Sequence, residues 1–281
     1  MAQRKRKRGI PDWVLYGGVI LLVLYALGRD DGDIPEGPAP PPPVIAGEGS
    51  PLGPSTPLDD VVIVEVNGRP QPGLGTAFAI DGSGVWLTAR HVVDGCRAAS
   101  LVTGPDRGVP VQIRIARDAD IALLQSDGGP DPLTSAIDEP LRLGQRAFHI
   151  GFPAGEPGEA TSRLIGRETL RVVGRGARSE PVLAWAETGR SEGLDGSLAG
   201  LSGGPALDAG GRILGVTIAE SPRRGRIYTT APDSLNPLLD RAGVEPPPGP
   251  GEREITPSNY GRVADDLRED LRIAMVVCLA V

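Results

Sequence analysis

Six consecutive residues, Gly200-Leu201-Ser202-Gly203-Gly204-Pro205, set one hydroxyl among glycines that permit a tight turn and beside backbone N–H donors. A serine hydroxyl is a weak nucleophile near neutral pH, so hydrolytic chemistry at Ser202 requires a base and a third group to orient that base. The chain has two histidines. One of them, His91, ends a segment (residues 75–91) that reads as strand, turn and strand, which puts its imidazole at a strand end. Asp120 opens the apolar run Ile121-Ala122-Leu123-Leu124, so its carboxylate is half buried at the mouth of a strand and able to orient His91. With those roles Ser202 Oγ attacks a carbonyl, His91 takes its proton and returns it to the leaving group, and Asp120 fixes the imidazole tautomer. The first step leaves a covalent acyl-enzyme.

Taken singly, each of these residues also has a structural reading. A histidine after a strand packs, an aspartate before an apolar run caps a turn, and serines are common in glycine-rich turns. Their joint order and contexts are more specific. The segments Gly75-Thr76-Ala77-Phe78, Leu87-Thr88-Ala89-Arg90-His91-Val92-Val93, Asp120-Ile121-Ala122-Leu123-Leu124, Gly151-Phe152-Pro153 and residues 200–205 followed by Gly215-Val216-Thr217-Ile218 resemble the trypsin/chymotrypsin superfamily of serine endopeptidases, and within it the bacterial HtrA-like branch. The resemblance runs over about residues 60–235. It implies an all-β, chymotrypsin-like fold of two six-stranded antiparallel barrels, with His91 and Asp120 from the first, Ser202 from the second and the site in the cleft between them. It also implies an oxyanion hole made by the backbone N–H groups of Gly200 and Ser202, polypeptide substrates, and no metal or organic cofactor.

Specificity and control follow from the same resemblance. The pocket for the residue before the scissile bond draws on residues 195–198 and 217–220, which nominates Gly196, Thr217, Ile218 and Ala219 as substrate-binding residues. Gly196 stands where a trypsin carries its acid, so small or aliphatic side chains are expected rather than Arg or Lys. Leu201 replaces the acid that captures a freed amino terminus in digestive zymogens, and control is expected instead from ordering of residues 193–200, rich in glycine. The hairpin Ser221-Pro222-Arg223-Arg224-Gly225-Arg226 reads as solvated, with a cationic substrate rim as its sharper alternative. His149, in an apolar strand, reads as a packed residue rather than a base.

The ends of the chain address location. Residues 4–8 are Arg-Lys-Arg-Lys-Arg and residues 13–28 form an uncharged run of 16, slightly shorter than the ~20 of a standard span. Basic charge on its N-terminal side predicts a cytoplasmic segment (1–12), a single-pass inner-membrane anchor (13–28) and an extracytoplasmic, periplasmic remainder. Cleavage after Gly28 as a signal peptide, giving a secreted domain, is the alternative. Residues 29–57 are Pro-rich and are expected to be a disordered tether, with an SH3-type ligand as its minor reading. The net charge is −7 despite the basic N-terminus, so nucleic acid is not an expected partner.

The protease domain is expected over 58–241, with barrels at about 58–140 and 141–235, followed by an extension over 242–281. A short helix is expected over residues 231–241. A second, over 257–272, presents Tyr260, Val263, Ala264, Leu267 and Leu271 on one face behind a Thr256-Pro257 start, and residues 273–281 read as a buried strand. That tail is too short for the PDZ domain HtrA proteins usually carry. Cys96 and Cys278 are expected either to pair in an exported domain or to remain two buried thiols. The rival functional reading is an idle peptide-binding module of the same fold. An α/β-hydrolase is excluded, because its acid would lie between Ser and His and its strands would alternate with helices.

Overall fold

The computed structural model describes residues 49–66, 73–174 and 176–280. The basic segment 1–12, the apolar run 13–28 and the Pro-rich stretch up to residue 48 lie outside the described residues. Among the described residues no helix is long and apolar enough to cross a membrane.

The structure is mostly β. A closed six-stranded barrel contains β2 (Gly73–Asp81), β3 (Val85–Thr88), β4 (Cys96–Gly104), β5 (Arg107–Ile115), β6 (Ala122–Gln125) and β13 (Ile273–Ala280). Between β2 and β3, Asp81 accepts the Ser83 N–H at 2.6 Å, and Gly84 turns at φ 95° where a Cβ would lie 2.4 Å from the Gly128 carbonyl. Only glycine fits that turn. Behind β3 the chain makes one helical turn, α1 (Arg90–Val93), anchored by buried Val92 and Val93.

The second sheet contains β1 (Asp60–Val66), β7 (Arg146–Gly151), β8 (Gly158–Gly174), β9 (Arg178–Arg190), β10 (Pro205–Leu207), β11 (Ile213–Ser221) and β12 (Arg226–Thr230). Its order is β1-β8-β7-β10-β11-β12-β9, and β9 pairs back onto β8, so six strands close on themselves with β1 appended. The β8–β9 hairpin outruns its partners. Residues beyond its pairing with β7 and β12 form an arm whose tip carries Arg178.

One strand changes places relative to expectation. Residues 60–66 fall in the stretch expected to form the first barrel, yet β1 lies parallel to β8, with Asp60 opposite Glu168 and Val66 opposite Gly174. The vacant place in the barrel is taken by β13, antiparallel to both β2 and β4. Side-chain patterning accounts for the exchange. β13 is apolar on both faces and buries Ile273, Ala274, Val276 and Cys278, as an enclosed strand must, whereas β1 reads Asp-Val-Val-Ile-Val-Glu-Val and leaves Val61 and Ile63 exposed at a sheet edge.

The tether is also shorter than expected at its C-terminal end. Leu52 N–H donates to Leu141 O and Leu143 N–H to Ser50 O, so residues 50–52 are fixed against residues 141–143. Further on, α2 (Pro232–Ala242) packs Leu235, Leu238 and Leu239 into the core. The last helix, α3 (Tyr260–Glu269), begins later than Thr256-Pro257 suggests, because Asn259 Oδ1 takes the Thr256 N–H and ends the preceding turn. Val263, Ala264 and Leu267 dock as the periodicity requires, while Leu271 lies past the helix end at φ 57°. A disulfide joins Cys96 to Cys278, Cα to Cα 5.4 Å, across 182 residues of sequence.

Candidate active site

His91 sits on α1 with a third of its side chain open to solvent (34%). Its Nδ1 lies 2.7 Å from Asp120 Oδ2, and its backbone N–H donates to Asp120 Oδ1 at 3.0 Å. An ionised carboxylate only accepts, so Nδ1 carries the hydrogen and Nε2 keeps its lone pair. Asp120 itself is 3% exposed, held between buried Ala119 and Ile121. Burial pushes its carboxyl up, but the charge and hydrogen bond of His91, then Arg178, outweigh burial and hold it below the ordinary carboxylate range. Desolvation opposes the His91 charge, and the neighbouring Asp120 overcomes it, raising the imidazole above its ordinary value.

Two residues unmarked in the sequence complete this pair. Arg178 Nη2 lies 2.8 Å from Asp120 Oδ1 and its Nε 3.2 Å from Glu180 Oε1, while the Asp120 N–H donates to Glu180 Oε1 at 2.8 Å. Arg178 and Glu180 are two apart on β9 and therefore share a face. Burial, followed by the Asp120 charge, lifts the Glu180 carboxyl to about 7.

The Ser202 turn is packed against α1 and β2. Thr76 N–H donates to Ser202 O at 2.9 Å, and Gly203 N–H to Thr217 O at 2.7 Å. A Cβ on Gly203 would lie 2.1 Å from Thr76 O and 3.0 Å from Ala89 N, two residues before His91. One on Gly75 would fall between the Val92 side chain and Ser202 O. Glycines thus bring the serine turn and the histidine turn into contact. No hydrogen bond joins His91 Nε2 to Ser202 Oγ among the described residues.

The Gly200 and Ser202 N–H groups donate to no protein acceptor among the described residues, whereas those of Ala199, Leu201, Gly203 and Gly204 all do. Gly200 at φ 101° has no room for a side chain, since a Cβ would lie 2.3 Å from Phe152 O. Ala154 N–H donates to Ala199 O at 2.6 Å. Because C=O and N–H of a trans peptide point opposite ways, that bond turns the Gly200 N–H away from Ala154. Thr76 Oγ1 donates to Gly200 O at 2.8 Å and accepts the Phe152 N–H at 3.1 Å, clipping the following peptide, Gly200–Leu201, from the other barrel.

Two concavities meet here. A cleft of about 390 Å³ is lined by His91, Asp120, Arg178, Ile218, Ala219 and Glu220, with Val64, Glu65 and Val66 of β1 and Leu170 and Val172 of β8 as its wall. A pocket of about 30 Å³ is lined by Leu198, Ala199, Leu201, Ser202, Thr217, Ala219, Glu220 and Ile227. Ala219 and Glu220 are common to both. Thr217, Ile218 and Ala219 therefore border the site, and Gly196 borders neither concavity. Its carbonyl instead accepts Arg190 Nη1 at 2.7 Å, which pins the loop outside the pocket. Glu220 and Ile227 take the place expected of Gly196. Glu220 Oε1 accepts the Leu198 N–H at 2.8 Å and the Ser197 hydroxyl. Leu201 is buried among Leu198, Leu214 and Ile227, an apolar site with no use for an acid. Arg223 and Arg224 are solvent-exposed and line neither concavity, and Arg226 pairs with Glu168.

His149 makes a second histidine–hydroxyl constellation. Its Nε2 is 2.7 Å from Ser162 Oγ and its Nδ1 3.0 Å from Thr217 Oγ1. His149 and Ser162 are both fully buried, and burial drives the imidazole down to about 3. Among the described residues both ring nitrogens are bonded to hydroxyls and none to a carboxylate, and the ring has no solvent-exposed surface.

Residues 75–216 match the family model described as a trypsin-like peptidase domain. Among curated proteins, the chain is 28% identical over 182 residues to serine protease Rv3671c of Mycobacterium tuberculosis, covering 63% of this chain and 44% of that protein. It is 27% identical over 165 residues to the chloroplastic protease Do-like 1 of Arabidopsis thaliana, covering 57% of this chain and 36% of that one. The chain thus spans less than half the length of these relatives. Among solved structures, the active form of the Rv3671c protease aligns at TM-score 0.49 with 19% identity, over 70% of this chain and 96% of that one. The HtrA-type protease AlgW with a decapeptide aligns at TM-score 0.47 with 21% identity, over 69% and 61%.

Proposed function

The chain belongs to the trypsin-like peptidase family, and on that premise we propose that it is a serine endopeptidase working through His91, Asp120 and Ser202. The observation that carries the reading is the pairing of a half-open, Asp120-oriented imidazole with a glycine-walled serine turn that leaves two backbone donors unused. Ser202 Oγ attacks the carbonyl of a polypeptide bound along β11. Nε2 of His91 accepts the hydroxyl proton, and Asp120 stabilises the imidazolium. The tetrahedral oxyanion is met by the Gly200 and Ser202 N–H groups, each donor of this kind contributing about 10²–10³ in turnover. The same imidazolium protonates the leaving amine, and water then releases the acyl group from Ser202. Ser202 closes its bond to His91 when substrate is bound, as catalytic contacts commonly tighten in the Michaelis complex.

The arrangement of two closed sheets with the site between them supports a chymotrypsin-like double barrel as the framework. The 30 Å³ pocket beside Ser202, floored by Leu198 and Ile227, supports small aliphatic residues before the scissile bond. The basic run and apolar segment at the N-terminus support an inner-membrane anchor with the protease on the extracytoplasmic side.

Fluorophosphonate labelling tests the reading directly. Wild type should label and cleave peptides, and Ser202→Ala should do neither. Equal labelling of both proteins, or none of a folded wild type, leaves the idle peptide-binding module as the better account.

A further inference from the structure

Asp120 carries an unusual load for a residue that must support a positive imidazole. One guanidinium, Arg178, is bonded to its Oδ1 at 2.8 Å with only 7% of the side chain exposed. Alone, that contact would neutralise Asp120 and remove the charge His91 relies on. A second buried carboxylate, Glu180, bonds the same guanidinium at 3.2 Å and takes the Asp120 backbone N–H at 2.8 Å. Above pH about 7, where Glu180 as well as Asp120 is ionised and Arg178 is charged, the cluster holds one net negative charge, and it becomes neutral when His91 takes a proton.

We propose that Arg178 and Glu180 are positioning residues of the triad: Arg178 locks the Asp120 carboxylate in the plane that faces His91, and Glu180 restores the negative charge that Arg178 cancels. The pair reaches the triad from the other barrel, on the tip of the β8–β9 arm. Arg178 Nη1 also donates to Gly176 O at 3.1 Å, and Gly176 lies against the Arg90 guanidinium, beside His91. Triad geometry therefore depends on the docking of an arm that contributes no reacting atom. One oxygen of Glu180, Oε2, is buried without a hydrogen-bond partner, a cost the fold accepts to keep this carboxylate in place. Charges facing the pair from other elements are few. Arg90 on α1 points to the Ala116 and Arg117 carbonyls and to Asp94, and Glu65 of β1 and Glu220 of β11 border the cleft.

The inference rests on His91 and Asp120 being the catalytic base and its orienter, and it is tested by a readout that does not need catalysis. The imidazole nitrogens of the two histidines are followed by NMR through a pH titration of the full-length chain, in which buried His149 stays neutral through the range where His91 titrates. Arg178→Met removes a positive charge that opposes the imidazolium across the shared Asp120, so the His91 pKa should rise by about one unit, the scale of a neighbouring-charge effect. Glu180→Gln keeps an acceptor for the Asp120 N–H but removes a negative charge, so the His91 pKa should fall by a similar amount. The double variant should return it toward wild type. The acid limb of kcat/KM for a peptide substrate should move with the NMR value in each protein. If Arg178→Met fails to fold, Glu180→Gln decides: a lowered His91 pKa supports the proposal, and an unchanged one overturns it. Shifts of the same sign in both single variants also overturn it. NMR shifts of the stated signs in a protein that cleaves no peptide would uphold the coupling while refuting the peptidase reading.

Discussion

Arg268 of the last helix and Glu159 at the start of β8 form a buried ion pair, each with less than a tenth of its side chain exposed. The same guanidinium donates to the Gly151 and Gly158 carbonyls at 3.0 and 3.1 Å and lies 5.4 Å from the centre of the Phe152 ring. It thus grips both ends of the 151–158 turn, whose Ala154 N–H holds the peptide that orients the Gly200 N–H. The last helix is in this way a brace for the loop that carries Gly200.

Arg268→Ala should cost about 3–5 kcal/mol, because it leaves the Glu159 carboxylate buried and unpaired. Chemical unfolding of the variant, and of Arg268→Ala combined with Glu159→Gln, measures it. The double variant should be the more stable of the two. Equal stability of the two would mean that Glu159 bears no burial penalty.

The Cys96–Cys278 bridge should contribute about 2–4 kcal/mol, since it closes a long loop and removes unfolded-state entropy. Replacing both cysteines by serine should lower the urea midpoint by the same amount as reducing the wild type. An unchanged midpoint in both cases would reduce the bridge to an ornament on a strand already fixed by its ladder.

Glycines around Ser202 should differ sharply in tolerance. Gly200→Ala and Gly203→Ala force a Cβ to within 2.3 and 2.1 Å of backbone oxygens at positive φ, so both should lose at least ~10²-fold in kcat/KM, with Gly203→Ala also losing ~3 kcal/mol or more of stability. Gly193→Ala, at φ 79° with nothing within 4 Å of its Cβ, should cost only ~1–2 kcal/mol of strain and little activity. Comparable damage from all three would argue against a packed serine turn.

His149 should govern acid stability and not catalysis. Its folded pKa is depressed to about 3 from 6.5 by burial, so the unfolded chain binds the proton first and stability is lost as pH falls below about 6.5. Between pH 7 and 5 this amounts to about 2 kcal/mol. The loss should be absent from His149→Gln, measured by urea unfolding at the two pH values. A folded His149→Gln that no longer labels with fluorophosphonate would transfer the role of base to this residue.

Local chemistry was legible in the sequence where a residue's role is set by its immediate neighbours. The glycines flanking Ser202, the strand end before His91 and the apolar run after Asp120 each specify a backbone shape within a few residues. The pairing of Cys96 with Cys278 was open to either outcome, and the apolar pattern of residues 273–280 indicated a buried strand without saying which barrel it enters. Arg178 and Glu180 were invisible for a different reason. Their partner lies 58–60 residues away, and a charged pair at the polar start of a strand reads as an edge until the hairpin is known to reach across the cleft. Glu220 escaped likewise, because its carboxylate organises a loop over 20 residues upstream.

The exchange of β1 for β13 gives the molecule an order of assembly. The barrel bearing His91 and Asp120 pairs Ile273 with Phe78, so it cannot close until residues 273–280 have been made, after every other strand of both sheets among the described residues. A nascent chain therefore carries the Ser202 turn before the barrel that holds His91 and Asp120 is sealed. A strand encoded after the whole second sheet thus completes the first barrel, and the site matures only once residues 273–280 have joined it.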